Sequence, residues 1–210
     1  MEFNLNAFLM YLMAIVLGIT VHEFAHAYSA DRLGDDVPRR QGRVTLSPLA
    51  HLDPFGTLFF VVSYLAGAGI GWGRPVQTDI NNYRINRRLG HAIVVVAGPL
   101  SNLVLATLFA LVLRAGIVPQ SEAWLLVLID QIITTNILLF FFNLIPLYPL
   151  DGSHLLAAAL PPRMAEGYYR FMGQWGFLLF IALAMSRVTT LLIWPPAAAV
   201  YAFLVGGSGT

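Results

Sequence analysis

The chain of 210 residues is 58% hydrophobic and only 11% charged, with a mean hydropathy of +0.71, whereas a soluble domain carries about 45–50% apolar and about 25% charged residues. No soluble core of this chain length absorbs that apolar excess, so the class is an all-α polytopic membrane protein. A net charge of +1 leaves no footprint for nucleic acid, and the absence of Cys excludes disulfides and thiolate metal sites, leaving His, Asp and Glu as ligands for any metal.

The first six residues lack the basic region and cleavage site of a signal peptide, so the first apolar run, 5–30, is expected to be retained. The second run, 55–71, is shorter and glycine-rich near its end. The third covers 89–113 and the fourth 124–145. Runs 171–185 and 191–205 form a tight pair joined around Arg187, and Pro195-Pro196 is expected to break the last of them. Five to six transmembrane segments follow, since a crossing helix needs about 17–25 apolar residues. The tail Gly206-Gly207-Ser208-Gly209-Thr210 reads as a linker or tag remnant. Charge sits in the connections: Arg32, Arg39, Arg40 and Arg43 after the first run, then Arg74, Arg84, Arg87 and Arg88 after the second. Positive loops stay cytoplasmic, so these two connections belong on one side, which conflicts with a full crossing by 55–71.

The first run contains His22-Glu23-Phe24-Ala25-His26. On a helix, His22 and His26 project from one face a turn apart; two imidazoles so placed bind one zinc ion, with Glu23 positioned to take a proton from its water. A chance match on a helix surface is the bland reading. It is disfavoured because the preceding stretch, 7–21, has no charged residue, and ionisable side chains inside a membrane helix are costly and default to function. A catalytic zinc site uses three protein ligands and one open position. Asp151 is the best third ligand, in Asn143-Leu-Ile-Pro146-Leu-Tyr-Pro149-Leu-Asp151-Gly152, whose prolines and glycine mark unwound backbone that must be buried in protein.

With these motifs the chain resembles the site-2 protease family of M50 intramembrane zinc metalloproteases. HExxH and N-x-x-P-x-x-x-L-D-G are both complete, and a third family element, G-P-x-x-N, stands as Gly98-Pro99-Leu-Ser-Asn102. The stretches 42–56 and 71–76 are similar to the compact branch without a PDZ domain, apart from Ser47, where the family usually has Asn. The resemblance covers about residues 5–160. It implies Zn2+ held by His22, His26 and Asp151, Glu23 as general base, and Asn102 and Asn143 as residues holding the substrate backbone or the oxyanion. It also implies transmembrane protein or peptide substrates, adaptor proteins as further partners beside the lipid bilayer, and a bacterial or archaeal cell membrane. By residues alone, Asn102 serves equally well to satisfy the carbonyl freed by Pro99. The expected organisation is a catalytic core over 1–160, a C-terminal transmembrane hairpin over 161–205 and a remnant over 206–210.

Ligands that share one ion must share one depth. His22 lies roughly 23 Å along a helix from Ala7, toward the far side of a ~30 Å core, and Asp151 lies at the far end of its own span. The first and fourth spans must then run in the same direction. One of the two intervening segments therefore enters and returns, and 55–71 is the better candidate. The first span is expected to run from outside to cytoplasm, with the zinc nearer the cytoplasmic side. Residues 43–47 and 75–78 alternate enough to be short membrane-associated β-strands, able to pair with an unwound substrate. His51 reads as part of a turn with Asp53-Pro54 in preference to a place at the active-site entrance, His91 and His154 as interfacial, and Asp130 as a packing or solvent-facing residue. Rival readings weaken on composition. A di-iron desaturase needs several His clusters, and a prenyl-protein protease needs a Glu ligand, which neither Glu122 nor Glu166 supplies. A metal transporter or a non-proteolytic metal-binding protein would not require Glu23.

Overall fold

The computed structural model describes residues 4–67, 69, 71–184 and 186–206. The tail expected as a linker lies outside the described residues beyond Gly206. Among the described residues eight α-helices follow one another: α1 (Leu5–Arg32), α2 (Val37–Arg40), α3 (Pro54–Leu65), α4 (Arg87–Arg114), α5 (Ala123–Asn143), α6 (Asp151–Ala159), α7 (Pro162–Ala184) and α8 (Arg187–Val205). Three of the helix starts, those of α1, α4 and α3, are set by side chains that accept free backbone N–H groups. Asn4 takes Ala7, Asn86 takes Arg88 and Leu89, and Asp53 takes Gly56 beside Pro54 in the first turn of α3.

Helices α1, α4 and α5 are long and apolar enough to cross a membrane, and α3 and the 191–205 part of α8 are shorter apolar helices. Their packing is inside-out relative to a soluble bundle. On α4 the large residues Leu100, Val104, Leu108 and Leu111 are exposed, while Gly98, Asn102, Ala106 and Ala110 are buried. Small inward residues let helix backbones approach closely, and the outward apolar face suits lipid. Ala106 and Ala110 meet Ile129, Ile133 and Ile137 of α5 and Ile193 and Ala197 of α8 in the main cluster.

The directions of the helices follow from their contacts. Asn102 bonds Gly18, and Val94, two turns earlier on α4, bonds His26, so α1 and α4 are antiparallel. Ala14 clusters with Leu128 and Ile132, whereas Gly18 faces Asn136 and Leu139, so α1 and α5 are parallel. Residues 53–72 make a closed excursion. Helix α3 of 12 residues is about 18 Å long, short of a ~30 Å hydrocarbon core. Its rings reach Phe8 and Tyr11 near the start of α1, with Phe8–Tyr64 centroids 5.0 Å apart and the Tyr11 hydroxyl donating to Gly69. The chain then returns to pair Gly73 with Leu52 in an isolated antiparallel bridge, and Arg74 N–H donates to the His51 carbonyl. The two Arg-bearing connections are fastened together. The buried Asp35 carboxylate accepts from Asp79 N–H and the Asn82 amide, and Arg84 N–H donates to the Leu33 carbonyl.

Two expectations need correction. Among the described residues no strand forms, so neither 43–47 nor 75–78 is one. The buried Arg43 guanidinium takes the carbonyls of Ala50, Arg74 and Pro75 instead, and Pro75 has no N–H to offer a ladder. Pro195-Pro196 does not break the last segment: α8 runs through both prolines. Two missing N–H donors are tolerated there because Ile193 and Ala197 are packed into the main cluster on either side.

The α1–α5 contact is close enough to test. A Cβ on Gly18 would lie 2.7 Å from Leu139 Cδ1 and 2.9 Å from Asn136 Oδ1. Gly18→Leu is therefore expected to cost about 1–3 kcal/mol by overpacking, read as a lowered thermal unfolding midpoint in detergent; an unchanged midpoint would contradict this packing.

Candidate metal centre

His22 and His26 lie four residues apart on α1, both buried, with perpendicular rings whose centroids are 4.6 Å apart. Each Nδ1 has an acceptor. His22 Nδ1 donates to Asn102 Oδ1 at 2.7 Å and His26 Nδ1 donates to the Val94 carbonyl at 2.8 Å. A neutral imidazole with its proton on Nδ1 leaves a lone pair on Nε2. Those two Nε2 atoms are 3.0 Å apart and lie 3.1 and 3.2 Å from Asp151 Oδ2, itself buried and without a hydrogen bond. Three acceptors converge on one point, an arrangement that only a positive charge at the centre, a metal ion or a shared proton, makes tolerable. The edges of this triangle match a metal. Ligand atoms about 2.0–2.1 Å from a tetrahedral zinc stand about 3.3 Å apart. The group His22, His26 and Asp151 can bind a metal.

Two glycines make the convergence possible. A Cβ on Gly98 would fall on the His26 ring and against His22 Cε1, so the imidazoles pack directly on the backbone of α4. A Cβ on Gly152 would meet the carbonyls of Leu144 and Ile145, so the turn from α5 into α6 closes only over a glycine. That turn places Asp151 in the first turn of α6, where the helix dipole favours its charge.

The three residues line a cleft of about 270 Å³ that also holds Glu23, Asn143, Val76, Thr78, His91 and His154. The Glu23 carboxylate accepts from Val76 N–H at 3.2 Å, which aims it along the cleft wall. Asn143 keeps one tie, its amide donating to the Leu139 carbonyl one turn back, and its side chain stays half-buried.

Asn102 stands elsewhere than expected. It is fully buried behind His22 and does not line the cleft, and its amide is spent on His22, Gly18 and Asn136. Its side chain is thus tied to a candidate ligand, His22, and to the two neighbouring helices. His51 is also structural, fully buried with Nε2 at 2.7 Å from the Thr45 carbonyl. Asp130 accepts from the Tyr201 hydroxyl and so ties α5 to α8. His91 and His154, expected at the interface, instead face each other in the cleft with centroids 5.7 Å apart, and burial pushes the His154 imidazole below its ordinary pKa. Spacing carried that signal. His154 is one turn beyond Asp151, and His91 is two turns before Gly98 on the same face of α4.

The model of peptidase family M50 matches residues 10–123. The chain is 37% identical over 195 residues to "Putative zinc metalloprotease YwhC" of Bacillus subtilis, covering 87% of this chain and 83% of that protein. It is 30% identical over 184 residues to "Putative zinc metalloprotease Rip2" of Mycolicibacterium smegmatis, covering 86% and 68%, and 29% identical over 192 residues to the protein of the same name in Mycobacterium tuberculosis, covering 90% and 71%. No solved structure matches the chain.

Gly98→Ala is expected to place a methyl group inside the His26 position and weaken zinc binding at least roughly ten-fold, as loss of ligand orientation does. Elemental analysis of purified protein checks this, and full zinc occupancy after chelator challenge would count against the site.

Proposed function

The chain belongs to peptidase family M50, the site-2 protease family of zinc metalloproteases, and on that footing we propose that it hydrolyses peptide bonds of transmembrane substrate segments within the bilayer. The observation that carries the reading is the triangle of His22, His26 and Asp151 sharing a cleft with Glu23, on helices apolar enough to cross a membrane. Zinc held by His22, His26 and Asp151 would supply Lewis acidity, activating a water and polarising the scissile carbonyl. The chain's own residues do the rest. His22 and His26 present Nε2 because Asn102 and Val94 hold the protons on Nδ1. Glu23, aimed by Val76, accepts the proton of the attacking water and delivers it to the leaving amine. Asn143, on the cleft wall, is the remaining candidate for holding the substrate backbone.

A helical substrate has its carbonyls hydrogen-bonded and shielded, so cleavage needs an extended segment. Residues 74–76 do not offer an open strand edge to it, because the carbonyls of Arg74 and Pro75 serve Arg43 and Val76 N–H serves Glu23. Recognition then rests on the side chains of the cleft and on unwinding at its mouth.

In the topology that accompanies this reading, α1 runs from outside to cytoplasm, α3 enters and returns, and the metal lies nearer the cytoplasmic side. The parallel course of α1 and α5, the closure of 53–72 on itself and the fastening of the two Arg-bearing connections all favour it. The catalytic unit spans 1–160, with α7 and α8 as a C-terminal hairpin braced on α4 and α5 through Ile193 and Ala197.

Glu23→Gln is expected to keep zinc while lowering cleavage of a single-span substrate in detergent by at least roughly 10²–10⁴-fold, the range of a lost general base; retained turnover would remove Glu23 from the mechanism. Because the chain has no Cys, single cysteines at the exposed positions Arg40 and Arg84 report topology directly. Impermeant maleimide should reach both from the cytoplasmic side, and labelling from opposite sides would overturn the re-entrant arrangement.

A further inference from the structure

Behind His22 a polar chain runs through the apolar bundle. His22 Nδ1 donates to Asn102 Oδ1 at 2.7 Å. The Asn102 amide donates one proton to the Gly18 carbonyl at 3.0 Å and the other to Asn136 Oδ1 at 2.8 Å. Asn136 Nδ2 donates in turn to the Ile132 carbonyl, one turn back on α5, at 2.8 Å. Both asparagines are fully buried. A backbone carbonyl can only accept, so Ile132 fixes which end of the Asn136 amide points at Asn102. One bond to Gly18 would leave the Asn102 amide free to swing about it, whereas two bonds set its plane and aim Oδ1 at His22.

We infer that Asn136, although it lies outside the metal-ligand and cleft residues, is a positioning residue for the metal centre, acting through Asn102 to hold His22 in the Nδ1–H tautomer. This rests on the metal-centre reading above. Gly18 belongs to the same device, because its bare Cα is what admits Asn136 against α1. The site thereby draws on a residue of each of the three helices that, among the described residues, are long and apolar enough to cross a membrane: His22 on α1, Asn102 on α4 and Asn136 on α5. A ligand oriented from behind in this way loses roughly ten- to hundred-fold in metal affinity when the support is removed.

Two variants separate orientation from bulk. Asn136→Leu keeps the volume and removes the acceptor. Asn136→Asp, held neutral by its apolar surroundings, keeps an acceptor for Asn102 and a hydroxyl for Ile132. Zinc retention against a competing chelator should fall roughly ten- to hundred-fold in N136L and by less than about three-fold in N136D. Imidazole 15N shifts of metal-free protein in mildly alkaline buffer, with His22 assigned by its loss in His22→Gln, should show the Nδ1–H form in wild type and N136D and a mixture in N136L. A folded N136L with wild-type zinc retention and a pure Nδ1–H tautomer would overturn the inference. If N136L does not elute as a folded species, N136D decides: zinc loss beyond about ten-fold in the folded protein counts against it, and retention with Nδ1–H supports it. Equal zinc binding by wild type and His22→Gln would end the metal-centre reading itself, while the metal-free tautomers would still judge Asn136.

Discussion

Three lone pairs aimed at one point, from His22 Nε2, His26 Nε2 and Asp151 Oδ2 at 3.0–3.2 Å from one another, are the constraint on which the rest of this structure hangs. Without a cation they repel; with one they bind helix α1 to the start of α6. Both imidazole protons must therefore be kept on the far side of the rings, and Asn102 and the Val94 carbonyl do so. Both rings must sit against helix backbone, which Gly98 allows. The carboxylate must arrive at the same depth, which requires α1 and α5 to run in parallel. Helix α4, antiparallel to both, by itself provides the two reversals that a parallel α1 and α5 need, and the excursion of 53–72 leaves that count unchanged because it closes on the side it left.

The same constraint explains the polar residues in an otherwise apolar bundle. Unpaired amides in such surroundings cost several kcal/mol each, yet every N–H on Asn102 and the Nδ2 end of Asn136 finds a carbonyl or amide oxygen. Once satisfied, such a chain specifies how three helices sit against one another, because shifting any of them would strand a donor. Outside the bundle, Arg43 plays the corresponding part for the loops. It is buried with three backbone carbonyls around it, and burial pushes its guanidinium below its ordinary pKa. It thereby joins the turn before α3 to the segment after it, beside the Val76 N–H that aims Glu23.

Much of this was legible in the chain itself, for identifiable reasons. His22 and His26 are four apart on a helix, so their meeting is local geometry. The Asn143–Gly152 string declares a broken helix end by its prolines and glycine. Depth then linked the two, since an ion cannot be shared across the thickness of a bilayer, and the short run 55–71 followed as the segment that turns back. Readings failed where one residue's partner lay far away in sequence. For Asn102 the chain left two readings open, and its three partners, Gly18, His22 and Asn136, are out of reach of any local pattern. Residues 43–47 alternate like a strand, but Arg43 competes for the carbonyls a ladder would need. Pro195-Pro196 reads as a break because local hydrogen bonding is all that periodicity sees, whereas packing of Ile193 and Ala197 carries α8 through.

What the sequence by itself determined is the chemistry on offer: two imidazoles and a carboxylate for a metal, a second carboxylate for a proton, and apolar helices to carry them. Those follow from composition and from spacings of three to ten residues. Only the tertiary structure decided which atoms face the metal and which residues stand behind them. His22 could present either nitrogen, and the choice falls to Asn102, 80 residues away, backed by Asn136 another 34 on. Tautomer, amide orientation and the cleft positions of His91 and His154 are set by contacts between helices, and those distances are not written in any local pattern.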